Sequence, residues 1–115
     1  PMYFSESGAD SYMAIAKAGF QAGENQRAQA VANAIIMDEV LKNAAHNTGL
    51  FIFSFTDGLW KAGNPNVQDT GGWAPNSSGV PYDGAPNEEY WGIVDINRNK
   101  KLTFDVIKER FNKKQ

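Results

Sequence analysis

The chain contains no cysteine and a single histidine, His46. Without cysteine there is no disulfide frame, no thiolate nucleophile and no thiolate metal site. One imidazole is too little for a His-based metal centre, and it leaves a Ser-His triad only His46 to draw on. No metal ion and no cofactor is expected on these grounds. His46 stands where a helix should be ending, so a partnership with the helix dipole is its expected role. Long apolar runs are missing too, since none approaches the ~18 residues of a membrane-spanning helix. Nor is there an excess of positive charge. Eleven basic against 13 acidic residues give a net charge of −2, with a pI near 5.3. A nucleic-acid partner, which calls for a concentrated basic face, is not expected. The basic clusters, Arg98-Lys100-Lys101 and Lys113-Lys114, read as solvated surface and a frayed end.

What is present fits one modest domain. The chain has 115 residues, 42% of them apolar and 21% charged, which rules out a disordered segment. It opens on Pro1 rather than Met and runs at once into an extended apolar segment, as expected of a processed or excised chain. Pro1-Met2-Tyr3-Phe4-Ser5 reads as a short extended run that stops at the polar turn Glu6-Ser7-Gly8-Ala9-Asp10. A loop with one helical turn is expected from Ser11 to Gly23. Glu24 to Ala45 reads as a long helix, because Ala28, Val31, Ala32, Ile35, Ile36, Val40, Leu41 and Ala44 recur at spacings of three and four. Asn47-Thr48-Gly49 is its stop signal.

Leu50 to Phe55 is an apolar, aromatic run bounded by turn residues, as in a strand covered on both faces. From Thr56 to Asn87 the chain is rich in Gly, Pro, Asn and Asp and carries Trp60, Trp73 and Tyr82. A loop of this length in a compact domain is commonly functional. Glu89 to Asp95 is expected to be extended. Leu102 to Asn112 reads as a closing helix with Phe104, Ile107 and Phe111 inward and Thr103 as its cap. Phe51, Ile52 and Phe53 are expected to pack on Val31, Ile35 and Leu41 of the long helix.

Strands alternating with helices define the class as α/β with a parallel sheet and right-handed crossovers. Two strands and two helices complete no such sheet, so the chain reads as part of a larger fold.

Glu6 is the first chemical candidate. A carboxylate directly after a strand lies at the sheet's carboxyl end, where α/β folds place their ligand crevices. The second strand also ends in an acid and aromatic rings, Phe55-Thr56-Asp57-Gly58-Leu59-Trp60-Lys61. Parallel pairing would bring both groups to one rim. Carboxylates beside aromatic rings and amides suit a carbohydrate: sugar rings stack on Trp or Tyr while Asn, Asp and Gln take the hydroxyls.

Met2-Tyr-Phe-Ser-Glu6-Ser-Gly-Ala-Asp10 resembles the penultimate strand of retaining (β/α)8 glycoside hydrolases in the clan of β-glucanases and β-glucanosyltransferases, where Ser/Thr-Glu-x-Gly carries the nucleophile. The resemblance assigns that role to Glu6. The helix with Gln29-Ala30 is similar to the family's seventh helix. Gly49 to Gly63 resembles the eighth strand, with Phe55 where a Trp often closes it. Glu88 to Lys101 resembles the late segment in which Trp-Gly precedes the last helix. The implied architecture is the last two βα units of a (β/α)8 barrel: strand, helix, strand, long loop and helix across residues 1–115. Another chain or segment would complete it and supply the acid/base carboxylate, which belongs to the fourth strand. The implied function is double displacement on a β-glucan-type polysaccharide, by hydrolysis or transfer, with Glu6 as nucleophile. Trp60, Asp57, Phe55, Trp73, Tyr82, Trp91 and Glu88 would line the sugar subsites. An extracellular or cell-wall setting follows, to which the glycosylation acceptor Asn76-Ser77-Ser78 adds weak support. The alternative is a non-catalytic carbohydrate-binding or structural protein derived from such a barrel.

Two further constellations compete. Asp95-x-Asn97-x-Asn99 imitates the first positions of a calcium loop, but Lys100 replaces its turn glycine and Val106 its final glutamate. A polar turn feeding the last helix is the expected form. Glu88-Glu89 could serve as an acid pair. Neighbours on an extended strand point to opposite faces, so only Glu88 is expected to reach the ligand loop.

Overall fold

A computed structural model describes residues 2–61, 64–70 and 87–113. Trp73, Tyr82, Asn76 and Lys114 lie outside the described residues. In chain order the elements are β1 (Met2–Ser7), β2 (Tyr12–Met13), β3 (Gly23–Glu24), α1 (Gln26–Lys42), β4 (Asn47–Ile52), a 3-10 helix (Glu88–Tyr90) and α2 (Leu102–Phe111).

β1 and β4 pair in parallel, with Tyr3 opposite Gly49, Phe4 opposite Leu50 and Ser7 opposite Ile52. α1 makes the connection between them, as a parallel pair requires. The described residues thus form a small α/β domain with parallel strands and two α-helices. From Phe4 to Ser7 β1 takes one residue more than β4 does, so a register irregularity falls on Ser5 and Glu6. Among the described residues no helix is long and apolar enough to cross a membrane.

Several elements depart from expectation for local reasons. The Ser11–Gly23 stretch forms an antiparallel pair, β2 with β3. It turns at Ala18 and Gly19, both at positive φ, and Lys17 and Phe20 exchange backbone hydrogen bonds of 3.1 and 2.9 Å. That is the geometry of a two-residue hairpin turn. α1 starts at an Asn25 cap, whose Oδ1 accepts the Ala28 N–H at 3.1 Å. It stops at Lys42, earlier than Ala45, because the Asn43 side chain donates to the Glu39 carbonyl and carboxylate at 2.9 and 2.8 Å. β4 ends at Ile52 rather than Phe55, since the backbone of 54 and 55 bonds to residues 91–94 instead. Glu88–Tyr90 is a 3-10 turn capped by Asn87, not extended chain. α2 has no side-chain cap: Thr103 is fully buried, and its hydroxyl accepts from Asn33 Nδ2 at 2.8 Å.

The face that α1 buries keeps Ala28, Ala32 and Val40 of the expected stripe but widens to one side. Val31 and Ile35 are exposed, and the buried residues are Ala28, Gln29, Ala30, Ala32, Asn33, Met37 and Val40. α1 packs chiefly along α2 and more lightly on β4, and Phe51, Val31 and Ile35 of the expected contact are all exposed. The two helices are locked by Asn33–Thr103 inside and by a fork of Arg110 onto Asp38, at 2.9 and 2.8 Å, outside. Of the expected α2 stripe Ile107 is buried, while Phe111 is exposed. Met2, Tyr3 and Phe4 of β1 are exposed.

Candidate functional site

The site forms where the carboxyl ends of β1 and β4 meet. The Phe53 N–H donates to the Ser7 carbonyl at 2.8 Å, which carries the chain after β4 past the end of β1. Glu6 sits at that end, exposed, on the register irregularity. An extra residue of this kind re-aims side chains and is common beside active sites.

From Phe53 to Gly58 the chain runs beside residues 89–94. Ser54 N donates to the Trp91 carbonyl at 3.1 Å, Asp57 N to Val94 at 3.0 Å and Gly58 N to Glu89 at 3.1 Å. Two glycines make this approach possible. A Cβ on Gly8 would lie 2.2 Å from the Phe53 carbonyl oxygen, and one on Gly92 2.0 Å from the Asp57 nitrogen. Trp91 meets the Phe53 ring edge-on at 5.8 Å and covers Ala9 and Ala32. It is half-buried, with its indole N–H enclosed.

Beneath the rim lies a polar layer centred on Asp57 and Lys101. Both side chains are buried, and Lys101 Nζ stands 2.9 Å from Asp57 Oδ1. The same oxygen accepts the Gly92 N–H at 2.7 Å, and Nζ also donates to the Tyr90 carbonyl at 3.0 Å. Gln68 Nε2 donates to the Glu89 carbonyl at 3.0 Å and approaches Asp57 Oδ2 at 3.4 Å. Burial pushes the Asp57 carboxyl up and the Lys101 ammonium down, while the ion pair between them opposes both shifts. Gln29 adds a second tie from α1, donating through Nε2 to the carbonyls of Ala9 at 3.0 Å and Gly92 at 2.9 Å. Glu89 Oε2 accepts the Asp69 N–H at 2.7 Å, Asn87 Nδ2 donates to the Asp69 carbonyl at 2.6 Å, and the Asn87 N–H donates to Asp10. One connected set of hydrogen bonds therefore joins the ends of β1 and β4, both flanks of the long loop and the start of α2.

The structure separates the expected site residues into two levels. Glu6, Phe55 and Trp60 are exposed at or beyond the strand ends, Trp60 at 66%. Asp57 lies below them, its oxygens taken up by the chain itself. Glu88 is partly exposed and ion-paired with Lys61, whose Nζ stands 4.4 Å from the centre of the Trp60 ring. Glu89 is buried, so the pair splits between surface and interior through a helical turn rather than an alternating strand. Asp95 closes a polar turn by accepting from the N–H groups of Asn97 and Asn99, both at 2.8 Å.

Sequence reasoning missed Lys101, Gln29, Gln68 and Asn87. Lys101 corrects the reading of its cluster as solvated: it is 2% exposed, whereas its neighbours Arg98 and Lys100 are exposed. A lysine next to a helix start carries no mark of burial, because its partner is 44 residues away. A scan of protein-family models, a search of curated proteins and a search of solved structures each gave no match to this chain.

Proposed function

We propose that residues 1–115 are the carboxyl-terminal part of a retaining (β/α)8 glycosidase or transglycosylase acting on a β-glucan-type polysaccharide outside the cell or at its wall. The remaining βα units, with the acid/base carboxylate, come from another chain or segment. The observation that carries this reading is the parallel register of β1 and β4. It sets Glu6 at the same carboxyl end as the segment bearing Phe55 and Trp60. The exposed Tyr3, Phe4 and Phe51 give further support, since a barrel would cover them with neighbouring strands and helices.

In this reading the Glu6 carboxylate forms a bond to the anomeric carbon as the glycosidic C–O bond breaks. A second carboxyl group, about 5–5.5 Å away, gives its proton to the leaving oxygen. That group, now a carboxylate, then takes a proton from water or a sugar hydroxyl, whose oxygen displaces Glu6. Trp60 stacks a sugar ring, and Asp57 holds the rim from below rather than touching the sugar. Glu6→Gln in the full-length protein tests the assignment, because an amide keeps the shape but cannot form the glycosyl-enzyme bond. Turnover of a β-glucan should be abolished while binding of the glucan is kept. Turnover near the wild-type level would remove Glu6 from the reaction. A wild-type protein that binds glucan without turnover would favour the carbohydrate-binding alternative.

A further inference from the structure

Trp60 is 66% exposed, which leaves an indole free to swing, yet three neighbours define its position. Lys61 Nζ lies over one face of the ring, 4.4 Å from its centroid. That ammonium is itself held by the Glu88 carboxylate from the 3-10 helix. On the pyrrole edge Gly58 lies so close that a Cβ there would stand 2.6 Å from Trp60 Nε1 and 2.8 Å from its Cδ1. Gly58 is in turn fixed by its N–H bond to the Glu89 carbonyl, at 3.1 Å.

We infer that Lys61, held by Glu88, is a positioning residue that presets Trp60 as a one-faced platform: the cation covers one face of the indole and leaves the other for a ligand ring. The physical case rests on three points. A cation over an indole is attracted by the ring's negative face. Lysine alone is too flexible to hold that geometry, and Glu88 removes the freedom by tying down its far end. A ring ordered before binding loses less entropy when a sugar stacks on it. The charge on Lys61 is already met by Glu88, so the platform suits a neutral sugar ring better than an acidic one. This last step rests on the carbohydrate reading; the clamp itself does not.

The experiment separates the two. In the full-length protein labelled with 5-fluorotryptophan, the fluorine resonance that Trp60→Phe removes belongs to Trp60. Without any sugar, Lys61→Met, Glu88→Gln and Gly58→Ala should each shift or broaden that resonance. Lys61→Arg, which keeps a cation over the ring, should leave it close to its wild-type position. The enclosed Trp91 indole reports whether the fold is intact. A Trp60 resonance unmoved by Lys61→Met would overturn the clamp. Titration with a neutral β-glucan hexasaccharide then reads the consequence, a dissociation constant raised about 2–5-fold by Lys61→Met. A moved resonance with unchanged affinity would overturn the positioning role. If the resonance moves but wild-type protein binds no glucan, the clamp stands and the glycosidase reading falls.

Discussion

The rim and the layer beneath it follow opposite rules. At the rim, Glu6, Phe55 and Trp60 are exposed, and Trp60 is flanked only by Gly58 and the partly exposed Lys61 cation, itself paired with Glu88. Beneath it Asp57, Lys101, Gln29, Asn87 and Glu89 are each at most 5% exposed and tied to backbone groups of distant segments. The difference shows how irregular segments can be held in one arrangement. Residues 53–58 and 87–94 form no regular strand over most of their length, so side chains take up backbone groups that a sheet ladder would otherwise satisfy. Buried polar groups of this kind specify one arrangement because each partner is costly to lose.

The largest expected effect breaks the lower layer. Lys101→Met leaves the Asp57 carboxylate buried without its cation, and should cost about 3–5 kcal/mol of stability. Adding Asp57→Asn to that variant should recover part of the loss, because the uncompensated charge is gone. Chemical denaturation of both variants measures this. If the single variant lost under 1 kcal/mol, Asp57 would have another source of compensation.

The same comparison predicts the reverse behaviour above. Trp60→Ala should leave stability nearly unchanged, since the ring buries little within the domain. It should weaken glucan binding by about 1–3 kcal/mol, the worth of one stacked aromatic contact. Calorimetric titration and thermal melting separate the two quantities. Loss of stability with no loss of affinity would move Trp60 from the rim to the core.

A smaller effect concerns pH. The Tyr90 phenol is buried, and that burial, with Glu24, Tyr12, Asp57 and Glu89 nearby, pushes its pKa up to about 12. The folded state thus holds the phenolic proton more tightly than the unfolded chain, whose tyrosine titrates near 10. The associated stability is fully present below pH 10 and is lost as pH rises from there through about 12. The total is at most about 2.7 kcal/mol. Denaturation in this range should show the decline, and Tyr90→Phe should remove it. An unchanged pH slope in Tyr90→Phe would assign the decline to other groups.

Much of this architecture is legible in the residues. The apolar runs around Phe4 and Phe51, with a long helix between them, predict the parallel pair, and Glu6 stands out as a carboxylate at a strand's end. The 3.6-residue pattern marks α1 and the inward Ala28, Ala32 and Val40, but not the whole of its inner face. Gln29 and Asn33 are inside for a reason hydropathy cannot carry: their amides meet Ala9, Gly92 and Thr103, up to 70 residues away. Lys101 was hidden in the same way. The termini of α1 and β4 were displaced by Asn43 and by the partners of residues 54 and 55, contacts that exist only after the chain has folded.

The central claim is that the exposed Glu6 carboxylate, standing over a rigid polar layer, is the reacting group. Incubating the full-length protein with an activated 2-deoxy-2-fluoro β-glucoside, and mapping the labelled peptide by mass spectrometry, tests this most directly. The fluorine slows both steps, and the activated leaving group restores the first, so the glycosyl-enzyme accumulates. The account predicts a single fluoroglucosyl adduct on the peptide containing Glu6, absent from Glu6→Gln. An adduct on any other carboxylate, or full turnover with no adduct at all, would contradict it.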